Sequence, residues 1–149
     1  MNIYIASDHA GYTKKRHLAD ALSTNYNVVD LGPEQLNPGD DYPIFTERVA
    51  RAVVGDPGSR GILVCDSGQG MEIAANKVDG VRAAVVWNEH VAFETRRDND
   101  SNVLSLPAGE LKEEELLAVS KVWLETDFSE EERHKRRLQE ITDIEREDD

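Results

Sequence analysis

One stretch of the chain concentrates groups able to do chemistry. Residues Gly61 to Lys77 read GILVCDSGQGMEIAANK, in which the only cysteine, Cys65, precedes Asp66, Ser67, Gly68, Gln69 and Gly70. A thiol and a hydroxyl two residues apart stand ahead of a glycine turn and a run of helix formers, Met71 to Ala75. That order places both beside backbone amides at a helix N-terminus, where an anion or a developing oxyanion is stabilised. A cysteine facing such a terminus can have a lowered pKa and act as base or nucleophile. Closing an apolar run, it can equally be an inert core thiol. Ser67 either caps the helix or donates to a substrate oxygen. Gly68 and Gly70 do not continue into a dinucleotide fingerprint, because position 73 is Ile73, and no GK[ST] follows for a P-loop.

Further polar groups gather elsewhere. Asp8 and His9 follow the first apolar run and suit acid–base or phosphate-contacting work, with an Asx turn as the plain alternative. Asp40, Asp41 and Tyr42 sit in a proline- and glycine-rich loop, and Asp98 and Asn99 precede a later apolar run. Arg133, Lys135, Arg136 and Arg137 form a basic cluster in an acidic chain. Arg133 and Arg137 share one helix face and can clamp a phosphate, or they pair with neighbouring glutamates. The four histidines, 9, 17, 90 and 134, are scattered without metal-ligand spacing, so no metal site is expected.

The elements that must position these groups alternate. Short strands are expected at Asn2–Ser7, Tyr26–Leu31, the run ending at Cys65, the run after Gly80, and Asn102–Leu106. Helices are expected between them. One runs to about Thr24, one over Ile44–Val53, one after Gly70, and one from an Asn88 cap to about Arg97. Another is marked by Leu116, Val119 and Trp123. A last helix over residues 129–144 starts from a Ser129–Glu132 capping box and carries Leu138, Ile141 and Ile144 on one face. Residues 145–149 are expected to fray. Continuously apolar strands alternating with helices imply an α/β fold, a five-stranded parallel sheet covered on both faces. Ligands of such sheets bind at the carboxyl ends of the strands. Asp8–His9, Asp40–Tyr42 and Cys65–Gly70 fall there. Asp98 and Asn99 fall at the opposite end, and reach a crevice only across a subunit boundary or by an unusual helix exit.

Composition narrows the function classes. The 149 residues suit one domain with a real core, and 39% hydrophobic with 32% charged residues is ordinary for a globular chain. A formal net charge of −13 argues against nucleic acid or an anionic membrane as partner. A lone cysteine excludes an internal disulfide, and MNIYIASDHAG has no signal-peptide pattern. A soluble, cytoplasmic protein is the expectation.

Six segments occur in order: SDHAG at Ser7–Gly11, DYP at Asp41–Pro43, CDSGQG at Cys65–Gly70, IAANK at Ile73–Lys77, GVRAA at Gly80–Ala84 and DNDSNVL at Asp98–Leu104. On them the chain resembles the type B ribose-5-phosphate isomerases, the family that includes the galactose-6-phosphate isomerase subunits, to about Leu138. The resemblance implies a Rossmann-like αβα sandwich forming a single sugar-phosphate isomerase domain. It also implies a homodimer, with a dimer of dimers as the larger form, interfacial active sites and no cofactor. The implied reaction interconverts aldose and ketose phosphates through a cis-enediolate. By resemblance Cys65 is the base, and Ser67 with the turn around Gly68, Gln69 and Gly70 is the anion hole. Asp8, His9, Asp41, Tyr42 and Asn99 contact sugar or phosphate, and Arg133 and Arg137 hold phosphate. Met71 stands where some members place a glutamate base.

Three positions depart from the family pattern. Asp98 replaces a histidine assigned to ring opening, and would need a raised pKa to exchange protons. His90, eight residues earlier, is about 12 Å away along a helix. Gly109 replaces a phosphate-binding arginine, at a cost of about 1.5–3 kcal/mol of binding. Asp66, counted among the substrate-contacting residues, replaces a glycine and brings negative charge near the enediolate, which opposes catalysis unless its side chain points away or touches a sugar hydroxyl. Ribose 5-phosphate is the first expected substrate. The alternatives are a tetrose or hexose phosphate, a non-catalytic sugar-phosphate-binding homologue, or a structural dimer.

Overall fold

The computed structural model describes residues 1–147. In chain order the elements are β1 (Asn2–Ser7), α1 (Tyr12–Leu22), β2 (Asn27–Asp30), α2 (Tyr42–Gly55), β3 (Arg60–Cys65) and α3 (Gln69–Ala75). Then follow β4 (Ala83–Val85), α4 (Glu89–Asn99), β5 (Val103–Pro107), α5 (Glu113–Glu125) and α6 (Glu132–Glu147). The five strands form one sheet in the order β2-β1-β3-β5-β4, parallel throughout.

Strand periodicity assigns each side chain to one of two cores. Ile3, Ile5, Ile62, Val64, Leu104 and Leu106 face α1, α4 and α5, where Leu18, Leu22, Ala92, Leu116 and Trp123 complete the layer. Ala6, Leu63, Cys65 and Val103 face the other way, against Val49, Ala50 and Val53 of α2 and Met71 and Ala75 of α3. Both faces of the central strands are therefore buried, which is why they read as unbroken apolar runs. The expected three-layer αβα architecture is present.

The chain leaves β1 toward β2 on one side and returns to β3 on the other, so the order reverses between β1 and β3. An α/β sheet opens its ligand crevice at such a switch point. Ser7 pairs with Val64, so Asp8 and Cys65 are the next residues along adjacent strands. The β1–α1 turn closes tightly over this point. A Cβ at Gly11 would overlap the Val64 carbonyl, which is backbone and cannot swing aside.

The helix ends differ from expectation in places. Asn88 caps α4, its side chain accepting from the Val91 amide at 2.8 Å. Ser129 does not cap α6 as a capping box, because the helix begins at Glu132 and the Ser129 hydroxyl accepts from the Glu131 amide instead. The only buried residue of α6 is His134; Ile141 and Ile144, expected on a packed face, are exposed. Glu145 to Glu147 continue the helix instead of fraying, and the expectation for residues 148–149 lies outside the described residues. The strand after Gly80 is short, only Ala83–Val85. No helix among the described residues is long and apolar enough to cross a membrane.

Replacing Gly11 by alanine is expected to destabilise the fold by about 3 kcal/mol through overpacking against Val64. A lowered urea midpoint with an unchanged slope checks this, whereas an unchanged midpoint would show that the turn can relax.

Candidate active site

Cys65 closes β3 with its side chain toward α3, and only 5% of the residue is exposed. Its Sγ accepts a hydrogen bond from the Gly68 amide at 3.2 Å, and the Met71 amide also points at it. Gly68 makes this curl possible by adopting φ of +77°, a left-handed conformation that side chains other than glycine resist. Ser105 then locks the turn from below, its buried hydroxyl donating to the Gly68 carbonyl at 2.6 Å. Two amides of the following loop complete the clamp: Ala108 donates to the Cys65 carbonyl at 2.7 Å and Gly109 to that of Asp66 at 2.9 Å.

The sign of the thiol's shift is opposite to the one the helix terminus suggests. Burial pushes the Cys65 pKa up, Asp8 and Asp66 push it further, and the Gly68 and Met71 amides only partly offset this. The resting group is a neutral thiol, and its thiolate is a stronger base for being harder to form. The two amides are directed at sulfur, so they serve the thiolate rather than a substrate oxygen. Among the described residues, the Ser67 and Gly70 amides make no protein hydrogen bond, and the exposed Ser67 hydroxyl accepts weakly from Gln69 at 3.4 Å.

Around this turn the β1–α1 and β2–α2 loops form a rim. Asp8 is buried and accepts from the Gly11 amide at 3.1 Å, which is the Asx-type turn weighed from sequence. His9 is exposed, and Asp40 holds it at both backbone and ring. Tyr42 lies against Gly70, where a Cβ would overlap its ring. Asp41 is the residue before α2 and makes no cap hydrogen bond with its side chain. In sequence Asp40 is one of three adjacent polar residues, yet it is the one whose carboxylate reaches His9. Nothing in the local pattern separates it from Asp41.

Asp66 and Gly109, two of the departures from the family pattern, meet in space. A Cβ on residue 109 would overlap the Asp66 carboxylate, so that side chain points to the β5–α5 loop. A larger residue at 109 would have to displace it.

The remaining candidates lie elsewhere. Asn102 accepts from the Gly61 amide at 2.9 Å, so the end of α4 sits beside the start of β3, about 13 Å of strand from Cys65. Asp98 is held there by Arg97 at 2.7 Å, with His134 Nδ1 at 3.7 Å. The hydrogen bond from Arg97 holds its carboxyl below the usual carboxylate range, the reverse of what proton exchange near neutrality requires. Asn99 borders a cavity of about 270 Å³ with Asn76, Arg82 and Ile141. Arg133 pairs with Glu131 at 2.9 Å, while Arg137 makes no ion pair among the described residues. Ser129 ties α6 to this end through its amide, which donates to the Arg97 carbonyl at 3.0 Å. One chain thus brings Asp8, His9, Tyr42 and residues 65–70 together, and leaves Asp98, Asn99, Arg133 and Arg137 at the far rim. Among the described residues no three His, Cys, Asp or Glu side chains converge as a metal set.

The model of the family described as Ribose/Galactose Isomerase matches residues 3–141. Ribose-5-phosphate isomerase B of Mycobacterium tuberculosis (strain CDC 1551 / Oshkosh) is 35% identical over 147 residues, covering 98% of this chain and 91% of the relative. The crystal structure of ribose-5-phosphate isomerase B from Mycoplasma genitalium with bound ribulose-5-phosphate superposes with a TM-score of 0.93. It is 40% identical and covers 98% of this chain and 97% of that one. The Clostridium thermocellum ribose-5-phosphate isomerase B structure gives 0.94 at 41% identity over the whole of both chains.

Substituting Asp66 by asparagine removes a charge that opposes the thiolate, so the Cys65 pKa is expected to fall. Thiolate absorbance against pH, or the pH dependence of alkylation, measures it. An unchanged or raised midpoint would mean that Asp66 does not act on the sulfur.

Proposed function

The chain belongs to the ribose/galactose isomerase family, and on that premise we propose that it interconverts an aldose phosphate and a ketose phosphate, first of all ribose 5-phosphate and ribulose 5-phosphate. The observation that carries this reading is Cys65 at the β1/β3 switch point, with the Gly68 and Met71 amides aimed at its sulfur. In the reaction, the thiolate removes the proton from C2 of the open-chain aldose, and the electron pair moves toward the carbonyl oxygen. The resulting cis-enediolate is held at Ser67 and at the Ser67 and Gly70 amides. The proton returns to C1, while a proton moves between the two oxygens. No redox group is required, because the oxidation of one carbon balances the reduction of its neighbour.

The same reading makes the working unit a homodimer. Asn99, Arg133 and Arg137 from one chain would complete the crevice around Cys65 of the other, which explains why they cluster at the far rim of their own subunit. The exposed Ile141 and Ile144 beside them suit a contact between copies. A second substrate reading has its own support: an ionised Asp98 is ill suited to opening a sugar ring. A phosphosugar that cannot close into a ring, such as a tetrose phosphate, needs no such step.

Purified protein is expected to isomerise ribose 5-phosphate, with a rate that rises with pH as Cys65 ionises. Cys65→Ala is expected to lose about 10²–10⁴-fold in kcat. Equal turnover by the variant would remove Cys65 as base, and tighter kcat/KM on erythrose 4-phosphate would favour the open-chain substrate. Binding of both sugars without turnover of either would make the chain a non-catalytic homologue. A mixture of Cys65→Ala and Arg137→Ala chains, refolded together, should recover about a quarter of wild-type activity, since half the dimers are mixed and each has one intact site. No recovery above either variant alone would contradict an interfacial site.

A further inference from the structure

Asp40 stands out as a charged residue with one evident partner. Its side chain is only 6% exposed, although the loop around it, residues 34–42, is largely at the surface. Oδ1 accepts both hydrogen bonds it makes, from the His9 backbone amide at 3.1 Å and from the His9 ring Nδ1 at 2.7 Å. Oδ2 is buried and has no hydrogen-bond partner among the described residues. Burying a carboxylate with half of its acceptor capacity unused is costly, and no second group here shares the cost. The His9 ring is 41% exposed, and its Nε2 makes no hydrogen bond among the described residues.

The loop that carries Asp40 is fastened at several points. Buried Lys15 of α1 holds Asp30 through both carboxylate oxygens, at 2.9 and 2.8 Å, and donates to the Pro33 carbonyl at 3.1 Å. The Tyr12 hydroxyl donates to the Glu34 carbonyl at 3.0 Å. Asn37 accepts from the Asp40 amide at 3.1 Å and, with its side chain, from Gly39 at 3.0 Å. This is a fixed mount for a carboxylate.

We propose that Asp40 is a positioning residue: it grips the His9 ring at Nδ1, presents Nε2–H to the crevice, and thereby makes His9 the cationic anchor for the substrate's phosphate. The inference rests on the sugar-phosphate reading above, and what it adds is the dedicated carboxylate behind the histidine. Position 109, a glycine here, supplies no cation on this rim, and Asp66 beside it supplies an anion. A phosphate therefore depends more heavily on His9. Two carboxylates act on the ring, Asp40 from the facing loop and Asp8 from its own turn, and both raise the His9 pKa against the effect of burial. On the neighbouring β3–α3 turn stand the Cys65 thiol and the Asp66 carboxylate. A phosphate monoester loses its second proton at a pH of about 6. Binding is thus favoured between that ionisation and the titration of His9, and Asp40 extends the upper limit of the window.

The test uses the full chain with labelled histidines, as wild type, Asp40→Asn and Asp40→Glu, with His17 and His90 as internal reporters of folding. In wild type the His9 ring is expected to titrate above the ordinary histidine value, and inorganic phosphate should raise its midpoint further. In Asp40→Asn the midpoint should fall and the phosphate effect should shrink, with partial restoration by Asp40→Glu. KM for ribose 5-phosphate should rise roughly tenfold in Asp40→Asn above neutral pH, with the change on KM rather than kcat and beginning at lower pH than in wild type. A His9 midpoint insensitive to Asp40→Asn, or one that moves while phosphate binding does not, overturns the proposal. The titration with inorganic phosphate needs no turnover, so it decides the role of Asp40 even where the isomerase reading fails.

Discussion

The structure depends on one buried contact, the Cys65 sulfur against the amides of a turn that curls back over it. Burial and two nearby carboxylates disfavour the thiolate, while the Gly68 and Met71 amides favour it, and burial prevails. A thiol poised in this way is neutral at rest and strongly basic once ionised, which suits removal of a weakly acidic carbon-bound proton. Everything around it serves that contact. The left-handed Gly68, the Ser105 hydroxyl beneath it and the amides of Ala108 and Gly109 all fix the turn. The double burial of β3 supplies the rigid end from which it springs.

The fold was largely legible in the sequence because each of its signals is local. Unbroken apolar runs mark strands buried on both faces, and the Asn88 cap acts within one turn. What was not legible depends on residues far apart in the chain. Asp66 and Gly109 are separate oddities in sequence, yet in space one fills the place where a side chain of the other would stand. Asp40 and Asp41 are indistinguishable as neighbouring acids until the loop turns one of them toward His9. The direction of the Cys65 shift is open in the sequence for a related reason: a glycine turn signals amides, but not how deeply the sulfur is buried. In α6, helical periodicity found an apolar face without saying that the subunit leaves it uncovered.

The division of polar residues between two rims gives the functional reading its shape. Acid–base and hydroxyl groups sit at the switch point, while Arg137 of α6, without an ion pair among the described residues, sits at the other end. A net charge of −13 gives an anionic substrate little attraction at long range, so phosphate must be recognised by a few placed cations. His9 backed by Asp40 is the one proposed within the subunit, and Arg133 and Arg137 of a second copy are the proposed others. Asp98 is held by Arg97, whose hydrogen bond keeps its carboxyl below the usual carboxylate range, which suits the framework of the far rim better than proton traffic.

The central claim is that the Cys65 sulfur carries the proton between two substrate carbons. Its most direct measurement is exchange of the C2 hydrogen of ribose 5-phosphate with deuterated solvent, followed by NMR in wild type and in Cys65→Ala, each saturated with substrate. The account predicts steady deuterium uptake by the wild type and uptake slowed about 10²–10⁴-fold in the variant. Uptake by Cys65→Ala at the wild-type rate would contradict it.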